Sequence, residues 1–294
     1  MLRSDLVSFD GTRLSVLRGG TPGRTPIVFV NGLGGNISTW RPLTSGLESA
    51  FDLVCFDYRG LFGSGPSSSA GYGIDVHSRD LGAVIDQLRL DKPVLIGWSM
   101  GVQVILEFLR DRPGDASAFV GLNGTPGHPF RTAFGRDLDG VGRVIFDLMG
   151  RHWQKARWLE PVTRQRIVMD TFIEVVTTLG LTSPGLDRQI FRELGTEWVK
   201  LDLGIYSEIF QHLARHDASD VLESLALPSL LVGGGADRMT PAHRTELMAS
   251  RVPGAELLIV PGGTHFSLVE FPDVILPRVL SFLEVNRPSV WLAA

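Results

Sequence analysis

Pro93-Val-Leu-Ile-Gly-Trp-Ser-Met-Gly101 joins a short apolar run to a serine that has a glycine two residues away on either side. A reactive serine leaves a sheet on a bend so sharp that these neighbours, here Gly97 and Gly101, carry no side chains. The residues after Ser99 read as a helix, Val102 to Arg110, which Pro113 and Gly114 stop. Strand, turn and helix in that order are the setting of a nucleophile elbow. The pattern is short enough to arise by chance, so the other parts of a reactive site must be found independently.

The bulk properties narrow the field. The chain has 294 residues, 44% hydrophobic, with a formal net charge of −4. That is the composition of a globular protein with room for a large core, and it lacks the basic footprint that nucleic acid or an anionic membrane calls for. Met1-Leu-Arg-Ser-Asp-Leu6 has no apolar leader, and no stretch approaches the roughly 18 apolar residues that span a bilayer. The expectation is a soluble cytoplasmic protein with no nucleic-acid partner and no membrane span. The single cysteine, Cys55, lies inside the apolar run Leu53 to Phe56 and has no basic neighbour in sequence, which reads as a buried core thiol.

Taken in order, the chain alternates strands and helices. Leu6 to Phe9 and Arg13 to Leu17 flank Asp10-Gly11, a hairpin signal. Pro26-Ile-Val-Phe-Val30 is a continuous apolar strand, as in a parallel sheet buried on both faces, and runs into Asn31-Gly-Leu-Gly-Gly35. Further strands are predicted at Phe51 to Asp57, Pro93 to Trp98, Ser117 to Leu122, Ser229 to Val232 and Leu257 to Val260. Helices are predicted at Ser38 to Glu48, Asp75 to Leu90, after Ser99, after Pro241 and from Ser267. From Phe130 to about His216 the alternation stops. This section reads as amphipathic helices broken at Pro161, Pro184 and Gly195, and it carries Trp153, Trp158, Phe172, Phe191, Trp198 and Phe210. The expected organisation is one α/β core, residues 1–127 and 217–294, with a helical cap at 128–216.

An activated serine needs a base, and the base an orienting carboxylate. His265, in Pro261-Gly-Gly-Thr-His-Phe-Ser-Leu268, follows the last strand and precedes a helix whose start is marked by a capping box, Ser267-x-x-Glu270. Loops at the carboxyl ends of strands are where α/β proteins gather reactive groups. Asp237 lies in another such loop, Gly233-Gly-Gly-Ala-Asp237. The position after the preceding strand offers only Asn123-Gly-Thr125, so Asp237 has no close rival. The other histidines compete less well. His77 begins a helix, His128 and His152 fall in the insertion, and His243 lies in the first turn of a helix. His212 and His216 are four apart but have no third ligand nearby to make a zinc site.

Acyl transfer places negative charge on a carbonyl oxygen, which two backbone N–H groups should face. Met100, the first residue of a helix whose dipole favours an anion, supplies one, and Leu33 in the glycine-rich turn supplies the other.

Five motifs now stand in order: Asn31-Gly-Leu-Gly34, Asp57-Tyr-Arg-Gly60, Gly97-Trp-Ser-Met-Gly101, Gly235-Ala-Asp237 and Gly263-Thr-His-Phe266. Together they make the chain resemble the α/β-hydrolase superfamily, in its serine-nucleophile esterase and haloperoxidase-like branch, over nearly all its length apart from the insertion. The resemblance implies a mostly parallel eight-stranded sheet flanked by helices, with a helical cap. It also implies a catalytic order Ser99, Asp237, His265. Two departures stand out. Asn31 replaces the histidine usual before the oxyanion glycine, which predicts altered loop support with catalysis kept. Phe62 occupies the place of a usual glycine after Arg59-Gly60, which predicts a reshaped pocket edge.

The expected reaction is hydrolysis of a carboxylic ester or related acyl bond in a small, largely apolar substrate, with no cofactor and no metal. A serine at the elbow argues against relatives that use aspartate there, the haloalkane dehalogenases and related epoxide hydrolases. The same three residues would also serve a perhydrolase, a carbon–carbon bond hydrolase, an acyltransferase or a slow-turnover receptor. Trp40, Trp98 and Phe266 are the expected pocket border. Arg131, Arg136, Arg143, Arg151 and Arg157 make the start of the insertion basic, but interleaved carboxylates favour a solvated face. Oligomeric state is not encoded in any feature of the sequence.

Overall fold

The structure is a computed structural model describing residues 1–131, 133 and 166–286. The Asp10-Gly11 signal is a hairpin: β1 (Leu2–Val7) and β2 (Arg13–Gly20) pair antiparallel with Val7 opposite Arg13, and Gly11 turns at φ +88°. β1 begins four residues earlier than its apolar pattern suggests, because β2 offers a partner for polar residues such as Arg3 and Asp5 as readily as for apolar ones. Then come β3 (Pro26–Val30), a 3-10 turn (Ile37–Trp40), α1 (Arg41–Leu47), β4 (Asp52–Phe56), α2 (Ile74–Gln87), β5 (Val94–Trp98), α3 (Met100–Asp111) and β6 (Ala118–Leu122).

Between β6 and the next strand lie α4 (Arg166–Thr178), α5 (Arg188–Trp198) and α6 (Leu203–Arg215). Pro184 falls between helices as expected, but Gly195 does not break one: it sits inside α5, buried. Glycine costs a helix about 1 kcal/mol. Burial of Ile190, Phe191 and Leu194 on the same helix outweighs that. Pro161, Trp153, Trp158, His152, Arg136, Arg143, Arg151 and Arg157 lie outside the described residues. The core resumes with β7 (Ser229–Gly234), α7 (Ala242–Arg251), β8 (Glu256–Val260), α8 (Ser267–Glu270) and α9 (Pro272–Val285). The segments before and after these helices run side by side: Gly127 bridges Asp217, and the His128 N–H donates to the His216 carbonyl at 3.1 Å.

The eight strands form one sheet in the order β1-β2-β4-β3-β5-β6-β7-β8, parallel from β4 to β8. From β3 the chain moves outward to β4, then returns to the other side of β3 to form β5. The carboxyl ends of β3 and β5 therefore flank the switch point where α/β sheets open a crevice. Alternate residues serve opposite faces. Val28 and Val30 join a core with α2, α3, α6 and α7, while Ile27 and Phe29 join one with α1, α5, α8 and α9. This double burial is why β3 to β7 read as continuous apolar runs.

Inside this core one buried cation is matched by two carboxylates. Arg59 is fully buried; its Nε and Nη2 donate to Asp80 at 2.7 and 2.6 Å, and its Nη1 donates to Asp10 at 2.8 Å. The guanidinium thus ties the β4 loop to both the hairpin and α2. Arg59→Met should cost about 3–5 kcal/mol, because Asp80 and Asp10 would be left buried without their cation. The urea midpoint measures this. His77, by contrast, is fully buried on α2 against the Tyr58 ring, with no hydrogen-bond partner at either ring nitrogen among the described residues. Burial first, then Arg59 and His212, lowers its pKa from 6.5 to about 3. The unfolded chain takes up this proton at a higher pH than the folded one, so stability is full above 6.5 and falls as pH drops toward 3. His77→Leu should flatten that decline in acid denaturation.

A candidate active site at the carboxyl ends of the strands

Ser99 follows β5 directly and adopts φ +54°, ψ −115° before α3 begins at Met100. A side chain in this region costs of order 1–3 kcal/mol and persists only where the surroundings enforce it. Here they do. A Cβ on Gly101 would lie 2.1 Å from the Val30 carbonyl oxygen, and one on Gly97 would lie 2.8 Å from the Gly101 carbonyl. Only glycine at both places lets α3 start this close to β3. The Ser99 N–H donates to the Leu122 carbonyl at 2.9 Å, which pins the bend to β6.

His265 and Asp237 arrive from the loops after β8 and β7. His265 Nε2 lies 2.8 Å from Ser99 Oγ, and its Nδ1 lies 3.0 Å from Asp237 Oδ2. The Asp237 carboxylate is buried and richly served: Oδ1 accepts from the N–H groups of Met239 and Thr240 at 2.8 and 2.9 Å, and Oδ2 faces Thr240 Oγ1 at 2.8 Å. Burial pushes its pKa up, but the charge and hydrogen bond of His265 and the bonds from Thr240 outweigh that and hold it below the usual carboxylate range. The three residues singled out in sequence are thus brought together in one hydrogen-bonded line.

Two further partners carry no mark in the sequence as site residues. Asn123, which reads there only as a place without an acid, is fully buried and donates through Nδ2 to Asp237 Oδ2 at 3.1 Å and to the Thr264 carbonyl at 3.0 Å. Its φ of +46° is one asparagine tolerates better than most residues. Thr240 Oγ1 lies within reach of the Asn123 carbonyl at 2.9 Å and His265 Nδ1 at 3.2 Å as well as Asp237. The signal for Asn123 is its place at the end of a strand beside the elbow strand.

The capping box takes a different form from that expected. Phe266 occupies the N-cap of α8, and Ser267 Oγ donates to Asn123 Oδ1. The Glu270 carboxyl instead accepts from Thr264 N and Oγ1. The pull of a buried acceptor at Asn123 wins over local capping, since an unpaired buried amide oxygen would cost about 1–3 kcal/mol.

The register Val30 opposite Gly97 sets the Asn31–Gly35 turn beside Ser99. Asn31 is its anchor. It is fully buried, donates through Nδ2 to the Phe56 carbonyl at 2.8 Å and accepts at Oδ1 from the Trp40 indole at 2.7 Å, while its carbonyl accepts from Tyr58 Oη at 2.7 Å. The N–H groups of Leu33 and Met100 have no hydrogen-bond partner among the described residues. Trp40, expected at the pocket border, has no exposed surface and supports the turn from beneath, tilted on Phe29 at 5.0 Å. Trp98 is also buried: its ring packs where side chains on Gly32 and Gly35 would stand, and its indole N–H donates to the His265 carbonyl at 2.9 Å. Phe266 packs between Trp98 and Phe191, with centroids at 5.6 and 5.1 Å. From the insertion, the Trp198 indole donates to the Gly34 carbonyl, and Tyr206 packs on the same glycine. Phe62 takes φ +49°, the left-handed conformation for which a glycine is better suited, and lines an open cleft of about 640 Å³ with Asp57 and Thr196.

The remaining histidines stay apart. His216 bridges Gln103 and Glu107 at 2.8 Å each, and no metal-ligating cluster occurs among the described residues. Cys55 is buried, its thiol pushed up first by burial and then by Asp57. No helix among the described residues is long and apolar enough to cross a membrane.

Comparison with known proteins gives the same frame. The chain is 22% identical over 281 residues to a poly(3-hydroxyalkanoate) depolymerase of Ectopseudomonas oleovorans, covering 93% of this chain and 89% of that one. An esterase from Exiguobacterium antarcticum superposes with a TM-score of 0.77 at 20% identity, covering 96% of this chain and all of that one. A bromoperoxidase from Bacillus anthracis gives 0.76 at 19%, with the same coverage. Residues 27–278 match the model of the alpha/beta hydrolase family, the segment that holds the Asn31 turn, Ser99, Asp237 and His265, and the chain belongs to that family.

Proposed function

We propose that the protein is a serine hydrolase that cleaves a carboxylic ester or related acyl bond through an acyl-enzyme. The observation that carries this reading is the hydrogen-bonded line from Ser99 Oγ through His265 to Asp237, with Ser99 held at a backbone angle that lifts it from the sheet. His265 Nε2 takes the proton as Ser99 Oγ attacks the carbonyl carbon, and Asp237 stabilises the imidazolium at Nδ1. The carbonyl oxygen, now negative, is held by the N–H groups of Leu33 and Met100, the latter at the positive end of α3. His265 then gives the proton to the departing alkoxide. Water deprotonated by His265 attacks the acyl carbon, Ser99 leaves with the proton, and the cycle closes.

Residues 128–216 act as a cap on a core of 1–127 and 217–294. The crossing at Gly127 and Asp217 and the packing of Trp198 and Tyr206 on Gly34 support this. The partly buried apolar side chains of Leu33, Ile205 and Tyr206 in this region support a largely apolar acyl group. Phe266 forms part of its wall, and Trp98 and Trp40 shape it from behind.

Ser99→Ala should lower kcat on p-nitrophenyl esters by about 10⁴-fold or more while the thermal melting transition remains cooperative. A near wild-type rate in this variant would overturn the reading, and the preferred acyl length across the series measures the pocket. Asp237→Asn should lower kcat by about 10⁴-fold, because the amide stabilises the wrong imidazole tautomer.

A further inference from the structure

Glu270 is almost wholly buried, 6% exposed, yet its carboxyl has no cationic partner among the described residues. Three donors serve it instead. Oε1 accepts from Thr264 Oγ1 and from the backbone N–H of Ser183, both at 2.7 Å, and Oε2 accepts from the Thr264 N–H at 2.9 Å. Two of these come from the residue immediately before His265. The third comes from the insertion, from the loop between α4 and α5.

That loop lies directly over the carboxyl. A Cβ on Gly185 would stand 3.1 Å from the Glu270 carbonyl oxygen, and the Asp187 N–H donates to the Val269 carbonyl at 3.4 Å. Thr182 and Ser183 are themselves buried. Every polar group of Thr264 is engaged as well: its carbonyl accepts from Asn123 Nδ2 at 3.0 Å and from the Ser267 N–H at 3.1 Å, and its Oγ1 from the Phe266 N–H at 3.3 Å. A carboxyl out of water needs all its donors, and its hydrogen bonds strengthen as water is excluded. When the loop lifts, Glu270 loses the Ser183 N–H and meets water at once, which loosens its hold on Thr264.

We propose that Glu270 is a positioning residue that makes the placement of His265 depend on the seating of the Thr182–Leu186 loop. The proposal rests on reading His265 as the base. With the loop seated, His265 is held on Ser99; with it lifted, His265 is held loosely.

The test is steady-state hydrolysis of a short p-nitrophenyl ester by the full chain and its variants. Glu270→Gln keeps the size but replaces one acceptor oxygen by an NH₂ that must face an N–H, so one side of the link breaks. Ser183→Pro removes the third donor and leaves Glu270 and Thr264 untouched. Each single variant should lower kcat about 10- to 100-fold, the loss expected for a small misplacement of a reacting group, with KM changed less than about threefold. The double variant should be no slower than the slower single, since both break the same link. Unchanged kcat in Ser183→Pro, or losses that multiply in the double variant, overturn the proposal. Should Glu270→Gln fail to fold, as its melting transition would reveal, Ser183→Pro alone decides. A wild type inert toward every ester would instead defeat the hydrolase reading, whereas an active wild type with unaffected variants defeats only the role of Glu270.

Discussion

The approach of Gly101 to the Val30 carbonyl is the constraint on which the site depends. A methyl group there would lie 2.1 Å from Val30 O and 2.9 Å from Asn31 O. The same contact therefore does two things. It lets the chain turn through φ +54° at Ser99, and it sets the start of α3 against the end of β3, so that the turn carrying Leu33 lies beside the serine. Neither position is adjustable without the other. Strain at Ser99 is tolerable because the parallel pairing of β3 with β5 and β5 with β6 leaves the bend nowhere else to go.

Several buried polar groups near that contact are closely matched, and one that is not is instructive. Asn31 satisfies both ends of its amide, Arg59 divides its fork between two carboxylates, and Asp237 draws donors from several residues. His77, just as buried, has none among the described residues. The consequences are opposite. Asp237 stays ionised because its charged form is the one hydrogen-bonded, and His77 stays neutral because its charged form would have no acceptor beside Arg59. A titratable side chain buried near functional residues is thus no sign of function by itself. The hydrogen bonds it makes decide.

The parallel strands are legible in the sequence because each is apolar on both faces, and the elbow because only glycine fits at two fixed offsets from Ser99. Asp237 and His265 can be placed because both follow strands. What escapes is whatever depends on contacts between distant parts of the chain. Trp40 reads as an aromatic near the turn, but only the packing of α1 against the sheet makes it a buried prop for Asn31. Gly195 reads as a break, yet the burial of its helix keeps the helix whole. Ser267 and Glu270 have the spacing of a cap, and Asn123 and Ser183 draw them elsewhere. In each case a tertiary partner outweighs a local preference of about 1 kcal/mol.

The insertion is joined to both apolar clusters and not to one. Ile190, Phe191 and Leu194 of α5 belong with the face that holds Phe266, whereas Ile209 and Leu213 of α6 belong with the face that holds α2 and α3. The turn after the central strand β3 is where Trp198 and Tyr206 meet Gly34. A rigid displacement of α5 and α6 away from the strands must therefore uncover apolar side chains on both sides, and burial of each is worth about 1.5–3 kcal/mol. It must also strip the indole from the Gly34 carbonyl. Each helix is thus held by its own apolar cluster, on its own side of the sheet.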